Sequence, residues 1–501
     1  MNVTDCNLYS LFESAFDRAG SKTAFRAPGG ATLLTYADLR RTVNRYANAL
    51  LALGVEPGDR VTVQIEKSLG NVLLYLAAMK VGAVHQPLNP AYTEPEVDYF
   101  LDDAEPKIVV CDPARQRAMR ALGDRHRVLA VVNLDGKGEG SLADLARRMD
   151  DRHDTVARQT NDLAGLLYTS GTTGRSKGAM ITHGNLASNA ETLAKLWGFR
   201  DGDVLLHALP IFHVHGLHVA LNVSFLNGSE ILWFDRFDAS AVIAALPEAT
   251  VMMGVPTFYT RLLAAPELNR QACRNMRLFI SGSAPLLAET HREFSARAGH
   301  AILERYGMTE TGMIASNPYD GERIAGTVGF ALPGVDVRIA GTGVIEVKGP
   351  NVFKGYWRMP EKTAEEFTSD GYFITGDLGV MDAHGRLAIT GRAKDLIISG
   401  GFNVYPREIE EQLDAIDGVI ESAVIGVPHP DFGEAVVAVV TARKELPPET
   451  EMIAGLASRL ARFKVPKRIH VIGELPRNAM GKVRKAELRQ RYAGDFTPAG
   501  E

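Results

Sequence analysis

Residues 168–178 read YTSGTTGRSKG, placing Thr169, Ser170, Thr172, Thr173 and Ser176 around Gly171, Gly174 and Lys177. Small hydroxyls, exposed backbone N–H groups and one ammonium are what phosphate oxygens bind, since each oxygen needs donors and the charge needs a cation. Glycine lets the backbone approach such a ligand closely. The stretch is not a Walker A loop: Gly171 and Gly174 are three apart, and Lys177 is followed by Gly178 rather than by serine or threonine. Taken alone it reads equally well as a solvated glycine-rich turn.

Four further stretches carry the same kind of chemistry. In ERYGMTETG (304–312), Tyr306 can stack on a flat base, Thr309 can bond a phosphate and Glu310 can hold magnesium, which takes one or two carboxylates plus substrate phosphates. In FITGDLG (373–379), Asp377 is read at a strand end, where an acid can accept hydrogen bonds from ribose hydroxyls. GRAKDLIISGGFNVYPREIE (391–410) is rich in cations and holds the pair Gly400 and Gly401. LPRNAMGKVRK (475–485) puts Lys482 beside a glycine. Each stretch by itself is more often a turn or a solvated charge. Their joint presence in this order is not accidental.

The elements that must carry these residues read as layered α/β. Helical stretches such as 36–54 alternate with short β-rich runs at 60–65 and 107–111, and 72–84 is apolar on most faces, as in a helix buried against a sheet. DLAGLLYTS reads as a strand and the segment after Thr182 as a helix, so the 168–178 loop is expected to join a strand end to a helix start, a favoured anion site. Beyond about residue 325 short strands and glycine turns predominate, and from Asp395 onward a strand–helix–strand pattern marks a small α+β domain.

With 501 residues, 46% of them hydrophobic, the chain is long enough for two or more domains. A formal net charge of −5 provides no basic excess for nucleic acid or an anionic membrane. Three scattered cysteines suggest neither disulfides nor a zinc site. No signal-like N-terminus or spanning helix is evident. The expectation is a cytoplasmic protein acting on small molecules, with no nucleic-acid or membrane partner; composition is silent on its oligomeric state.

The set YTSGTTGRSKG, ALPIFHVHG, ERYGMTETG, GYFITGDLG, GRAKDLIISGGFNVYPREIE and PRNAMGKV resembles the adenylate-forming superfamily of acyl-CoA synthetases, firefly luciferases and nonribosomal adenylation domains. The likeness runs from about residue 8 to 490. It implies a large domain over 1–394 and a mobile domain over 395–501 hinged at Asp395, with ATP, Mg2+ and the co-substrate CoA. It implies phosphate binding by the 169–177 residues, magnesium at Glu310, adenine at Tyr306, ribose at Asp377 and ribose or phosphate at Arg392. It assigns the adenylation step to Lys482 and the thiol-side surface to Gly400 and Gly401. Acetylation would remove the charge of Lys482, so a lysine acetyltransferase is a hypothetical regulator.

GVPTFYTRLL, RLFISGSAPLLAETHREF, ERYGMTET and KGPNVFKGYWRMPEKT further resemble the malonyl-CoA synthetases of that superfamily. The resemblance implies that Arg261 and Arg305, with Ser283, take the second carboxylate of malonate, and that His213, Val214 and Met313 line the acyl pocket. The pair HVHG has no third ligand at usable spacing and is not read as a metal site. Val214, where malonate-activating relatives often carry threonine, and the apolar TGMIAS segment leave methylmalonate open. A ligase for a short-chain, medium-chain or aromatic acid is the alternative.

Overall fold

A computed structural model describes residues 5–169, 176–399, 402–478 and 481–496. The expected α/β architecture is what it shows, in four sheets. One sheet has the strand order Ala130–Asn133, Ile108–Cys111, Arg60–Gln64, Val84–Pro87, Leu163–Thr169, Lys177–Thr182. Its first five strands are parallel and the last is antiparallel. The nine-stranded sheet is centred on a parallel run of Glu230–Trp233, Val204–His207, Val251–Gly254, Leu278–Ser281 and Leu303–Met308.

One hydrophobic core joins these two sheets, with Val61, Val63 and Ile108 from the first and Leu205, Leu206 and Ile231 from the second. Between them lies the helix Leu69–Lys80, buried from Gly70 to Lys80, which is why its sequence carries no polar stripe. Even Lys80 is fully enclosed, its ammonium bonded to Glu13 Oε1 at 2.7 Å and the Thr155 hydroxyl at 2.9 Å.

The β-rich stretch forms a four-stranded antiparallel sheet of Asp336–Ile339, Val344–Lys348, Phe373–Met381 and Leu387–Arg392. Residues 397–496 build a separate five-stranded sheet with a core on each face. Ile409 and Leu413 of helix Pro406–Asp414 cover one face, while Leu488 and Tyr492 of helix Lys485–Tyr492 cover the other. Among the described residues no helix is long and apolar enough to cross a membrane.

Two local expectations are corrected. The 168–178 loop does not run from a strand into a helix: Lys177–Thr182 is itself a strand that pairs antiparallel with Leu163–Thr169, in register from Thr169 opposite Lys177. The helix His183–Leu196 starts only after it, capped by the Thr182 side chain on the Asn185 N–H. The flanks of the loop are therefore two antiparallel strands rather than a strand and a helix start. Asp377, read at a strand end, lies within the strand Phe373–Met381, opposite Arg392. Gly376 and Gly379 interrupt its apolar pattern, and the register with Leu387–Arg392 shifts between Leu378 and Gly379.

Candidate active site

Ser170, Gly171, Thr172, Thr173 and Gly174 lie outside the described residues, as do Gly400 and Gly401. The flanks of the hairpin are placed. The Ser176 carbonyl accepts a hydrogen bond from the Tyr99 hydroxyl at 2.7 Å. Lys177 lies 3.0 Å from Glu366 Oε1 and 4.1 Å above the Tyr356 ring. The Tyr356 hydroxyl donates to Glu310 Oε1 at 3.2 Å, and the Thr169 hydroxyl also bonds this carboxylate.

Glu310 sits in the turn between strands Leu303–Met308 and Gly312–Ser316, with its side chain buried. Burial pushes its carboxyl up, only partly opposed by those hydrogen bonds and by Lys177. The Phe353 N–H holds its backbone carbonyl at 2.7 Å. Among the described residues no group of three acidic, histidine or cysteine side chains could form an all-protein metal cage.

A second constellation is built across two sheets. The Tyr306 hydroxyl donates to Asp377 Oδ2 at 2.6 Å, and Arg392 Nε meets Asp377 Oδ1 at 2.9 Å. Strand pairing explains the second contact, since Asp377 and Arg392 are directly opposite. Thr375 helps by accepting the Asp377 N–H.

Lys482 is carried into this space by the C-terminal domain. Its loop is pinned by Asn478, whose side chain accepts the Lys482 N–H at 3.0 Å. A β-carbon added to the neighbouring Gly481 would stand 3.5 Å from Thr257 Oγ1, at the start of helix Pro256–Ala264. The residue is exposed overall, but its ammonium is enclosed, with Arg392, Asp377, Glu310 and Arg305 as its charged neighbours. This crevice pushes it down to about 8, by desolvation first and Arg392 next.

The acyl-side residues divide. Arg305 is buried, and its Nε and Nη2 have no hydrogen-bond partner among the described residues. The guanidinium packs against Gly282, where an added β-carbon would displace it. Burial pushes it down to about 9, and it still keeps its charge at neutral pH. Ser283 adopts a left-handed backbone at φ 73°, an uncommon state for a residue with a side chain, and its hydroxyl lies 3.2 Å from His215 Nδ1. Arg261 is exposed on the last turn of its helix; burial first, and the charge of Arg261 next, push Arg477 of the Lys482 loop down.

HVHG leads into a π-helical turn, His215–Leu221, of a kind found frequently at functional sites. Val214 lines a small cavity with His218, Asn189, Thr309, Gly312 and Asn351. Met313 is buried nearby, its backbone N–H and carbonyl both bonded to the Asn189 side chain. Burial, with Lys482 and then His218, pushes His213 down to about 3, so it is neutral at pH 7.

Asp395 is not free in this arrangement: Arg489 Nη2 of the last helix holds its Oδ1 at 2.7 Å. Sequence reasoning passed over Arg489, Tyr356, Glu366 and His215. Tyr356 and Glu366 lie in the KGPNVFKGYWRMPEKT segment and its continuation, but no spacing rule marks them. Their contacts exist only once the hairpin and the segment after the four-stranded sheet's first hairpin meet.

Comparison with known proteins fits this geometry. The family described as AMP-binding enzyme matches residues 12–357, and the AMP-binding enzyme C-terminal domain matches residues 408–482. A feruloyl-CoA synthase from an Amycolatopsis species is 37% identical over 92% of this chain and 95% of its own. A malonate–CoA ligase of Arabidopsis thaliana is 33% identical, covering 97% of this chain and 89% of that one. The crystal structure of ATP-bound MatB from Rhodopseudomonas palustris superposes with a TM-score of 0.96 at 52% identity, over 99% of this chain and 100% of that one.

Proposed function

Because the chain belongs to the AMP-binding enzyme family and is an AMP-forming acyl-CoA ligase, we propose that the acid it activates is malonate, with methylmalonate as a second substrate. The observation that carries this reading is Arg305: a buried guanidinium with Nε and Nη2 unpartnered. An uncompensated buried charge costs a fold several kcal/mol, so it persists where a ligand supplies the missing anion. A monocarboxylate offers its one carboxylate to the reaction. Malonate has a second, which Arg305 can hold in bidentate fashion beside Ser283 and His215. Arg261, with solvent around it, assists at the entrance, while His213, Val214 and Met313 shape the pocket.

In the first half-reaction a malonate oxygen attacks the α-phosphorus of ATP, forming malonyl-adenylate and releasing pyrophosphate. Two anions must meet, and at ~4 Å in a medium of effective dielectric ~20 they repel by about 4 kcal/mol per unit charge pair. Lys482 stands where it can bridge the carboxylate and the α-phosphate. The hairpin residues Thr169, Ser170, Gly171, Thr172, Thr173, Gly174, Ser176 and Lys177, with Thr309, hold the leaving phosphates. Asp377 accepts the ribose hydroxyls, Arg392 holds Asp377 or phosphate, and Tyr306 faces the adenine. Glu310 fits magnesium: it is a single buried carboxylate next to the phosphate hairpin, and phosphates complete such a site. The ion neutralises phosphate charge when bound.

In the second half-reaction the CoA sulfur attacks the acyl carbon, and AMP departs. Lys482 has no part in that step. We take residues 395–501 to turn about Asp395, withdrawing Lys482 and presenting the Gly400–Gly401 stretch to the thiol. The test is pyrophosphate release with malonate, methylmalonate, succinate, acetate, octanoate and benzoate, each with CoA. Malonate should lead. If octanoate or benzoate leads, the malonate reading fails while the ligase assignment stands.

A further inference from the structure

Lys177 is not waiting uncompensated for its phosphate. Its ammonium is 3.0 Å from Glu366 Oε1, and the two side chains are only 16% and 23% exposed. Lys362 approaches the same Glu366 oxygen at 3.3 Å while bonding Glu365 at 2.9 Å. Beneath Lys177 lies the Tyr356 ring, whose hydroxyl bonds Glu310. One ammonium is thus shared between a carboxylate on one side and an aromatic face on the other, next to the buried acid assigned to magnesium.

A polyphosphate at the hairpin makes this arrangement untenable. Lys177 has three N–H donors on one short head group, and phosphate oxygens bring more charge than one carboxylate. Glu366 would also be a like charge close to the phosphates. The pair must therefore open as ATP enters and can re-form as pyrophosphate leaves. We propose that Glu366 is an exchangeable counter-ion: Lys177 leaves it for the triphosphate and returns to it on pyrophosphate release. This rests on the reading of Lys177 as a phosphate ligand. It gives Glu366 a role in product release, because a carboxylate that recaptures the ammonium competes directly with pyrophosphate.

Two substitutions should act in opposite directions. Glu366→Gln removes the competing charge at nearly constant shape, so Lys177 stays with the phosphates. Lys362→Met removes the cation that shares Glu366, leaving the carboxylate freer to hold Lys177. The experiment is malonate-dependent ATP–pyrophosphate exchange without CoA, measuring the ATP KM and the pyrophosphate inhibition constant, with melting curves confirming that each variant is folded. For Glu366→Gln both constants should fall by about three- to fivefold, the upper range of a partly exposed ion pair. For Lys362→Met both should rise, and the malonate KM should stay put in each. Constants within twofold of wild type for Glu366→Gln, or both variants shifting the same way, would overturn the proposal. Absence of exchange in the wild-type protein with every acid would instead overturn the ligase reading on which it rests.

Discussion

Tyr306 and Asp377 are joined by a 2.6 Å hydrogen bond from the phenol to the carboxylate, a link between the nine-stranded sheet and the four-stranded sheet. The two residues assigned to adenine and ribose are therefore one rigid unit, and Arg392 closes it from the other carboxylate oxygen. Asp377→Asn should raise the ATP KM by about 10- to 100-fold, as expected for hydrogen bonds to a charged group worth about 1.5–3 kcal/mol. Tyr306→Phe should cost less, since it leaves Asp377 paired with Arg392. Initial-rate kinetics with ATP varied check both, and an Asn variant matching wild type would remove Asp377 from the nucleotide site.

Lys482→Ala should abolish adenylate formation while sparing thioester formation from supplied malonyl-AMP. Half-reaction assays decide this, and equal loss in both would contradict the division of labour. Full acetylation of Lys482 should reproduce the loss, because it removes the same charge.

The charge of Lys482 also sets a pH limit. Its amine is held at about 8, below the ordinary lysine value, so it is mostly protonated at pH 7 and loses its charge as pH rises through 8. The kcat/KM for adenylation, which reports the free enzyme, should decline above about pH 8 rather than near 10.5. A profile flat to pH 9.5 would show that the crevice does not perturb this lysine.

Arg489 and Asp395 bond across the base of the C-terminal domain at 2.7 Å. Half-exposed ion pairs contribute modestly, about 1 kcal/mol or less. Arg489→Ala should therefore slow adenylation by no more than about fivefold and leave or raise the thioester step, on the proposal that the turn about Asp395 breaks the pair. Half-reaction rates test this, and an equal decrease in both would mark the pair as merely structural.

Gly216 in HVHG lies against the backbone of Pro210, where an added β-carbon would strike the Pro210 carbonyl oxygen. Gly216→Ala should lower stability by about 1–3 kcal/mol through forced backbone movement. It should also raise the malonate KM, because His215 and Val214 shift with the turn. Thermal melts together with acid-dependent kinetics check the two effects.

What the sequence determined by itself is the part governed by local pattern: the layered α/β class, an apolar buried helix read at 72–84 and found at Leu69–Lys80, the change to short strands and glycine turns beyond about residue 325, and the ordered set of phosphate-side stretches. Hydroxyls, glycines and a lysine in one run are legible because neighbours in sequence form the site together. The hairpin at Thr169–Lys177 was missed because KGAMIT is too short for periodicity to tell a strand from a helix start. Only the tertiary structure decided the rest. That Arg305 is buried with Nε and Nη2 unpartnered among the described residues, that Lys177 rests on Glu366 and Tyr356, and that Arg489 holds Asp395 depend on which distant segments meet. Burial and counter-ions are properties of packing, so residue type alone cannot distinguish a solvated arginine from an enclosed one.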